Sequence, residues 1–158
     1  MRFQMGLIAL AIVLAGCGRG DRETAAHERQ VSGQFASGDA TLHYVATFRD
    51  SALVKLEEQQ DFGDLGEARA VYEVVDGRLA YYRSDESRAR AGDGPTGRER
   101  VQMELEFDAA GRVIGQHKFV DGSPAELLGY EAPGVQRHFE GLSRRAAAEE
   151  AVARAGMR

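Results

Sequence analysis

The chain has 158 residues, with 20 basic and 25 acidic side chains, a formal net charge of −5 and a single cysteine. A chain of this length can bury about two thirds of its unfolded surface in one domain by packing alone. The acidic balance argues against a uniformly basic nucleic-acid surface, and one cysteine leaves no intrachain disulfide to staple the fold.

Taken in order, the chain opens with Arg2 and an apolar run from Met5 to Ala15. The run is too short to cross a bilayer core of ~30 Å as a helix, which is the pattern of a removable signal segment. It closes on Leu14-Ala15-Gly16-Cys17. A leucine three positions before a cysteine, with two small residues between, resembles the lipobox of bacterial lipoproteins.

That resemblance covers only residues 1–17 and implies location, not activity. It implies that the Cys17 sulfur is diacylated, that the chain is then cleaved between Gly16 and Cys17, and that acylation is completed on the freed amine. One acyl chain binds membranes marginally, at about 0.8 kcal/mol per buried methylene, whereas two or more anchor stably. In the family an aspartate after the cysteine favours retention in the inner membrane. Gly18 stands there in this chain, so in a Gram-negative cell the implied address is the periplasmic face of the outer membrane.

After Cys17 the chain is polar as far as Gly33 and holds no run of large apolar residues. It reads as a flexible tether. The division expected is therefore a signal peptide over residues 1–16, a lipidated cysteine and tether over 17–33, and one domain over 34–158. Arg19-Gly20-Asp21 copies an integrin-binding tripeptide, but three common residues in a polar linker carry no weight.

From Thr41 the pattern has period two, with Leu42, Tyr44, Ala46 and Phe48 on one face, and predicts a half-buried strand. Asp50-Ser51 makes a tight connection to a return strand over residues 52–57. Residues 57–67 then read as an acidic loop broken by Gly63 and Gly66. Asp76-Gly77 between residues 70–75 and 78–83 is the sharpest hairpin signal, because Asp-Gly accepts the positive φ angles of a two-residue turn.

Residues 84–99 hold Gly92, Gly94, Pro95 and Gly97 among charges and read as a long loop. Val101, Met103, Leu105 and Phe107 alternate with polar residues, and a turn at 108–111 leads into a return strand over 112–120. Ser123-Pro124-Ala125-Glu126 has the residues of a capping box and predicts a short helix that buries Leu127 and Leu128. Beyond Pro133, Val135, Phe139 and Leu142 recur at helical spacing, with Glu140 and Arg144, and Glu150 and Arg154, four apart and Gly141 as a point of interruption. Strands first and helix last predict an α+β fold, an antiparallel sheet of hairpins with a C-terminal helix on one face.

Local chemistry is sparse. His27, His43, His117 and His138 have no spacing typical of metal ligands, and no nucleophile elbow, zinc-protease or phosphate-loop motif occurs. Asp61-Phe62-Gly63 copies a kinase tripeptide without its companions. Asp61, Asp64 and Glu67 are the candidate ligands for a hard cation, although their spacing is not that of an EF-hand. Tyr72, Tyr81 and Tyr82 are either core or an exposed patch.

No cofactor is indicated. The reading is a binding or assembly module of the cell envelope without catalysis, whose partners are the membrane, through Cys17, and an envelope protein, with no nucleic acid. An envelope hydrolase with a composite site assembled from distant residues, or an inhibitor of an envelope enzyme, is the alternative.

Overall fold

The computed structural model describes residues 27–90 and 97–156. The signal segment, Cys17, the Arg19-Gly20-Asp21 tripeptide and the glycine-rich residues 91–96 lie outside that range. Within it the chain forms β1 (Glu28–Ser37), β2 (Ala40–Arg49), β3 (Ala52–Asp61), β4 (Gly66–Val75), β5 (Arg78–Ala89), β6 (Arg98–Phe107), β7 (Val113–Val120), β8 (Ser123–Pro124) and α1 (Glu131–Ala155). The strands make one antiparallel sheet in chain order, β1 to β8. The fold is α+β, with the terminal helix against one face.

The turns follow from backbone freedom. Asp50 and Ser51 have φ of 49° and 77°, and Asp76 and Gly77 have 50° and 75°, the mirror-image geometry that suits the twist of paired strands. A bulge follows each of the three turns at this end, where the register shifts at Thr47/Phe48, Glu73/Val74 and Glu106/Phe107. At the other end Gly66, expected to break structure, is the first residue of β4. A Cβ there would stand 1.9 Å from the Ser87 carbonyl oxygen, so only glycine lets β4 approach β5 this closely.

Three stretches expected to be irregular are strand. Residues 28–33, assigned to the tether, form most of β1, because an edge strand needs only its inward positions apolar, and Val31 and Phe35 pack against the core. The acidic loop shrinks to residues 62–65, a single 3-10 turn at Gly63–Leu65, since Glu57 to Asp61 pair in full with β4. Residues 84–89 and 98–99 extend β5 and β6, their polar side chains facing water or each other across the ladder.

The expected helix after Ser123 is also absent. Ser123 and Pro124 pair with Val120 and Phe119, and the Ala125 N–H donates to the Lys118 carbonyl. With Gly129 close behind, the segment is too short to repay the cost of starting a helix.

The helix begins instead at Glu131, whose carboxylate accepts the Leu128 N–H at 2.7 Å and pairs with Lys118 of β7, also at 2.7 Å. It runs unbroken through Gly141. Ala132, Phe139, Leu142, Ala146 and Glu150 form its buried stripe, spaced for one helical face. They close over Leu42, Leu56, Tyr72 and Leu105, each at most 2% exposed. Arg145 lies 4.1 Å from the ring centre of Phe35, so the far half of the helix rests over β1. Glu150 and Arg154 pair as their spacing suggested, at 2.5 Å.

Candidate functional site

Two regions gather chemically useful side chains. The first lies beneath the helix. Glu58 of β3, read from the sequence as part of a loop, points into the covered face with its side chain 4% exposed. A lone buried carboxylate is costly, and this one is fully partnered. The Tyr72 hydroxyl donates to Oε1 at 3.0 Å, the Gln60 amide donates to the same oxygen at 2.9 Å, and His138 Nε2 meets Oε2 at 2.8 Å. Tyr72 stacks on Phe139 at 5.8 Å between ring centres and lies 5.0 Å from Tyr82.

Electrostatics follow the geometry. The hydrogen bond to Glu58 holds the imidazole of His138 above its ordinary pKa, against the opposing effect of burial. Burial first, and then the Glu58 charge, push Tyr72 far up. Tyr82 rises to about 12, chiefly through burial. Both phenols are thereby held in the protonated form at neutral pH, and among the described residues no group of three or more histidine, cysteine, aspartate or glutamate side chains is placed to hold a metal. The arrangement pins the helix to the sheet. It brings His138 to one acid and not to a second.

The second region is the opposite face of the sheet, which no element among the described residues covers. Cross-strand register lines up Gln34, His43, Gln59, Arg69, Asp85, Gln102 and Phe119 over seven strands, with a neighbouring row from Ser32 through Val45, Glu57, Val71, Arg83 and Glu104 to His117. Two shallow hollows lie along these rows. One, of about 600 Å³, is lined by Ser32, Gln34, His43, Val45, Glu57, Gln59, Arg69 and Val71. The other, of about 540 Å³, is lined by residues that include Arg83, Asp85, Arg100, Gln102, His117 and Phe119. Arg100 grips Asp85 with two nitrogens and holds that carboxyl below the usual range. Hydrogen-bonding groups thus alternate with small apolar surfaces at Val45, Val71 and Phe119, which suits broad contact more than enclosure of a small molecule.

The residues singled out from the sequence scatter between these regions. His43 and His117 sit in separate hollows, and His27 lies at the start of the described chain, its N–H donating to Asp50. Tyr72 and Tyr82 are core, whereas Tyr81 faces the open side. Asp61 and Glu67 face each other in register, but Asp61 caps the Gly63 N–H at 2.8 Å and Glu67 lies 3.8 Å from Arg69. Asp64 contributes its carbonyl to Arg98. Leu14, Ala15, Gly16 and Cys17 are outside the described residues.

The pairing of Glu58 with His138 escaped sequence reasoning, since 80 residues separate them. The only available signal was the histidine one position before Phe139 on the buried stripe. Compared with protein-family models, with curated proteins and with solved structures, the chain matches none.

Proposed function

We propose that this chain is a lipid-anchored lipoprotein of the cell envelope that works by binding, with the uncovered sheet face as its contact surface. The observation that carries this reading is the asymmetry of the sheet: one helix closes one face, while the other stays open across seven strands. What supports the anchor is the sequence Leu14-Ala15-Gly16-Cys17, and what supports the outer membrane is Gly18. What speaks against catalysis is that the Glu58 carboxylate, 4% exposed, is taken up by Tyr72, Gln60 and the half-buried His138, contacts that hold the helix to the sheet. The partner is an envelope protein. A face of mixed charge and small apolar patches fits a protein surface, and fixing the module to a membrane raises its effective concentration toward neighbours there.

The test is in-cell photocrosslinking from Gln59 and Gln102 on the open face, with Glu140 on the outer side of the helix as control. A discrete adduct from the two glutamines and none from Glu140 is expected. Adducts of equal strength from all three positions would overturn the contact surface. A folded His43→Ala variant that loses the cellular phenotype, with no adduct from either glutamine, would point to a composite active site instead.

A further inference from the structure

We infer that the end of the sheet carrying the turns at 50–51, 76–77 and 108–111 faces the bilayer, and that the end carrying residues 38–39, 62–65 and 121–122 points away. The inference rests on reading Cys17 as the membrane anchor; the orientation itself comes from the fold. The chain enters the sheet at the first of these turns. The His27 N–H donates to Asp50 Oδ1 and the Asp50 N–H donates to the His27 carbonyl, both at 3.1 Å, and Glu28 pairs with Arg49. Alternating strand direction puts the other two turns at the same end, where Arg78 donates to the Ala109 carbonyl at 2.9 Å and joins them. The helix C-terminus is there too, with Arg154 bonded to the Ser51 hydroxyl.

Chain length then decides which end is held down. His27 lies ten positions after Cys17, and in any conformation that stretch spans no more than ~33–36 Å. A strand of the length of β1, 10 residues, is itself about 34 Å tall. Resting the far end on the membrane would need the whole segment drawn straight alongside the domain. Every shorter path rules that placement out and leaves the turn end, where the chain enters the sheet, as the end the segment can hold at the lipid.

The chemistry of that end is compatible with lipid. Val75, Ile114 and Val152 are 59%, 66% and 73% exposed there, whereas Leu65 at 61% and Phe119 at 36% lie toward the far end, so exposed apolar side chains do not by themselves choose between the ends. Two arginines at the same end are paired with acids, Arg49 with Glu28 at 3.5 Å and Arg112 with Asp108 at 2.7 Å. Such a rim suits a mainly zwitterionic lipid surface, and it does not depend on attraction to anionic headgroups. The open sheet face then stands upright, reachable from the side by a partner on the same membrane.

The experiment uses the full chain, extracted with its lipid and placed in phosphatidylethanolamine–phosphatidylglycerol vesicles that contain a headgroup nitroxide lipid. A fluorophore is attached through Ala52→Cys or Ala109→Cys at the turn end, or through Asp39→Cys or Leu65→Cys at the far end. Quenching several-fold stronger at Ala52 and Ala109 is expected. Equal quenching at all four positions, or the reverse order, on protein whose mass shows an acylated Cys17 would overturn the orientation. A mass without acyl chains would instead overturn the anchor and the orientation with it, so the two failures are told apart by the mass alone.

Discussion

The two faces of the sheet are built from the same strands and differ in everything but backbone. In β2, Leu42, Tyr44, Ala46 and Phe48 are sealed beneath the helix, whereas His43, one residue from two of them, is exposed on the open side. Period two distributes the side chains, but it does not decide which face is closed. One helix of 25 residues decides that. Cohesion is therefore concentrated on one side, and the other side is left free for contact at little cost to folding.

The comparison is broken most severely by Leu142→Ala. Leu142 is 1% exposed and sits in the middle of the buried stripe, so truncation removes apolar contacts and leaves a cavity between helix and sheet. A loss of about 2–5 kcal/mol is expected, read as a lower urea midpoint. A loss within ~0.5 kcal/mol of zero would mean that the helix does not hold the covered face together.

A smaller break is Glu58→Ala. The substitution strips the Tyr72 hydroxyl of its acceptor in a buried setting and frees His138, with an expected cost of about 1–3 kcal/mol. Glu58→Gln, which keeps an acceptor oxygen for Tyr72, should cost less. If the two variants are equally stable, the Tyr72 hydrogen bond contributes nothing measurable.

Legibility followed the same division between faces. Strand β2, the Asp76-Gly77 hairpin and strand β6 could be read because their inward residues are apolar and their turns need particular φ angles, whereas β7 followed from the turn at 108–111, since it turns Gln116 and Lys118 inward. The strand segment at residues 28–33 could not, because Val31 is its single large apolar inward residue, and those at 57–61 and 84–89 could not, because polar residues stand at their inward positions. Glu58 and Gln60 answer each other there, and Ser84 and Glu86 lie toward the rim of the helix-covered area. Such segments become strand because a neighbour offers a ladder of hydrogen bonds, and single-sequence periodicity does not record the neighbour. The helix stripe was legible from Val135, Phe139 and Leu142, but its contact with Glu58 was not, since folding alone brings β3 and the helix together.

Acidity sharpens the comparison further. His138 has its pKa raised above the ordinary 6.5 by Glu58, so the folded state binds the proton more tightly than the unfolded chain. Its contribution is fully present below pH 6.5 and is lost as pH rises through the higher folded value. The stability difference between the wild type and His138→Gln should therefore be larger at about pH 5.5 than at about pH 9. Urea unfolding of both proteins at the two pH values measures it. A difference that stays flat, or grows with pH, would mean that the imidazole is not held as a proton-binding partner of Glu58.

The smallest effect on stability should come from the open face. Gln59→Ala and Gln102→Ala lie in one cross-strand row. Gln59 is exposed, and the one hydrogen bond of Gln102 on this face is a long one, 3.3 Å to Asp85. Neither side chain touches the helix stripe, and truncation leaves no cavity, so the double variant should stay within about 0.5 kcal/mol of the wild type. Both side chains nevertheless lie where a partner would make its hydrogen bonds, one in each hollow. Unchanged thermal unfolding is expected together with weaker co-purification of the crosslinked partner. If the double variant unfolds several degrees earlier, the open face supports the fold after all. If it is stable and still captures the partner at wild-type level, the contact lies elsewhere on the domain, and the free edge of β1 becomes the next place to probe.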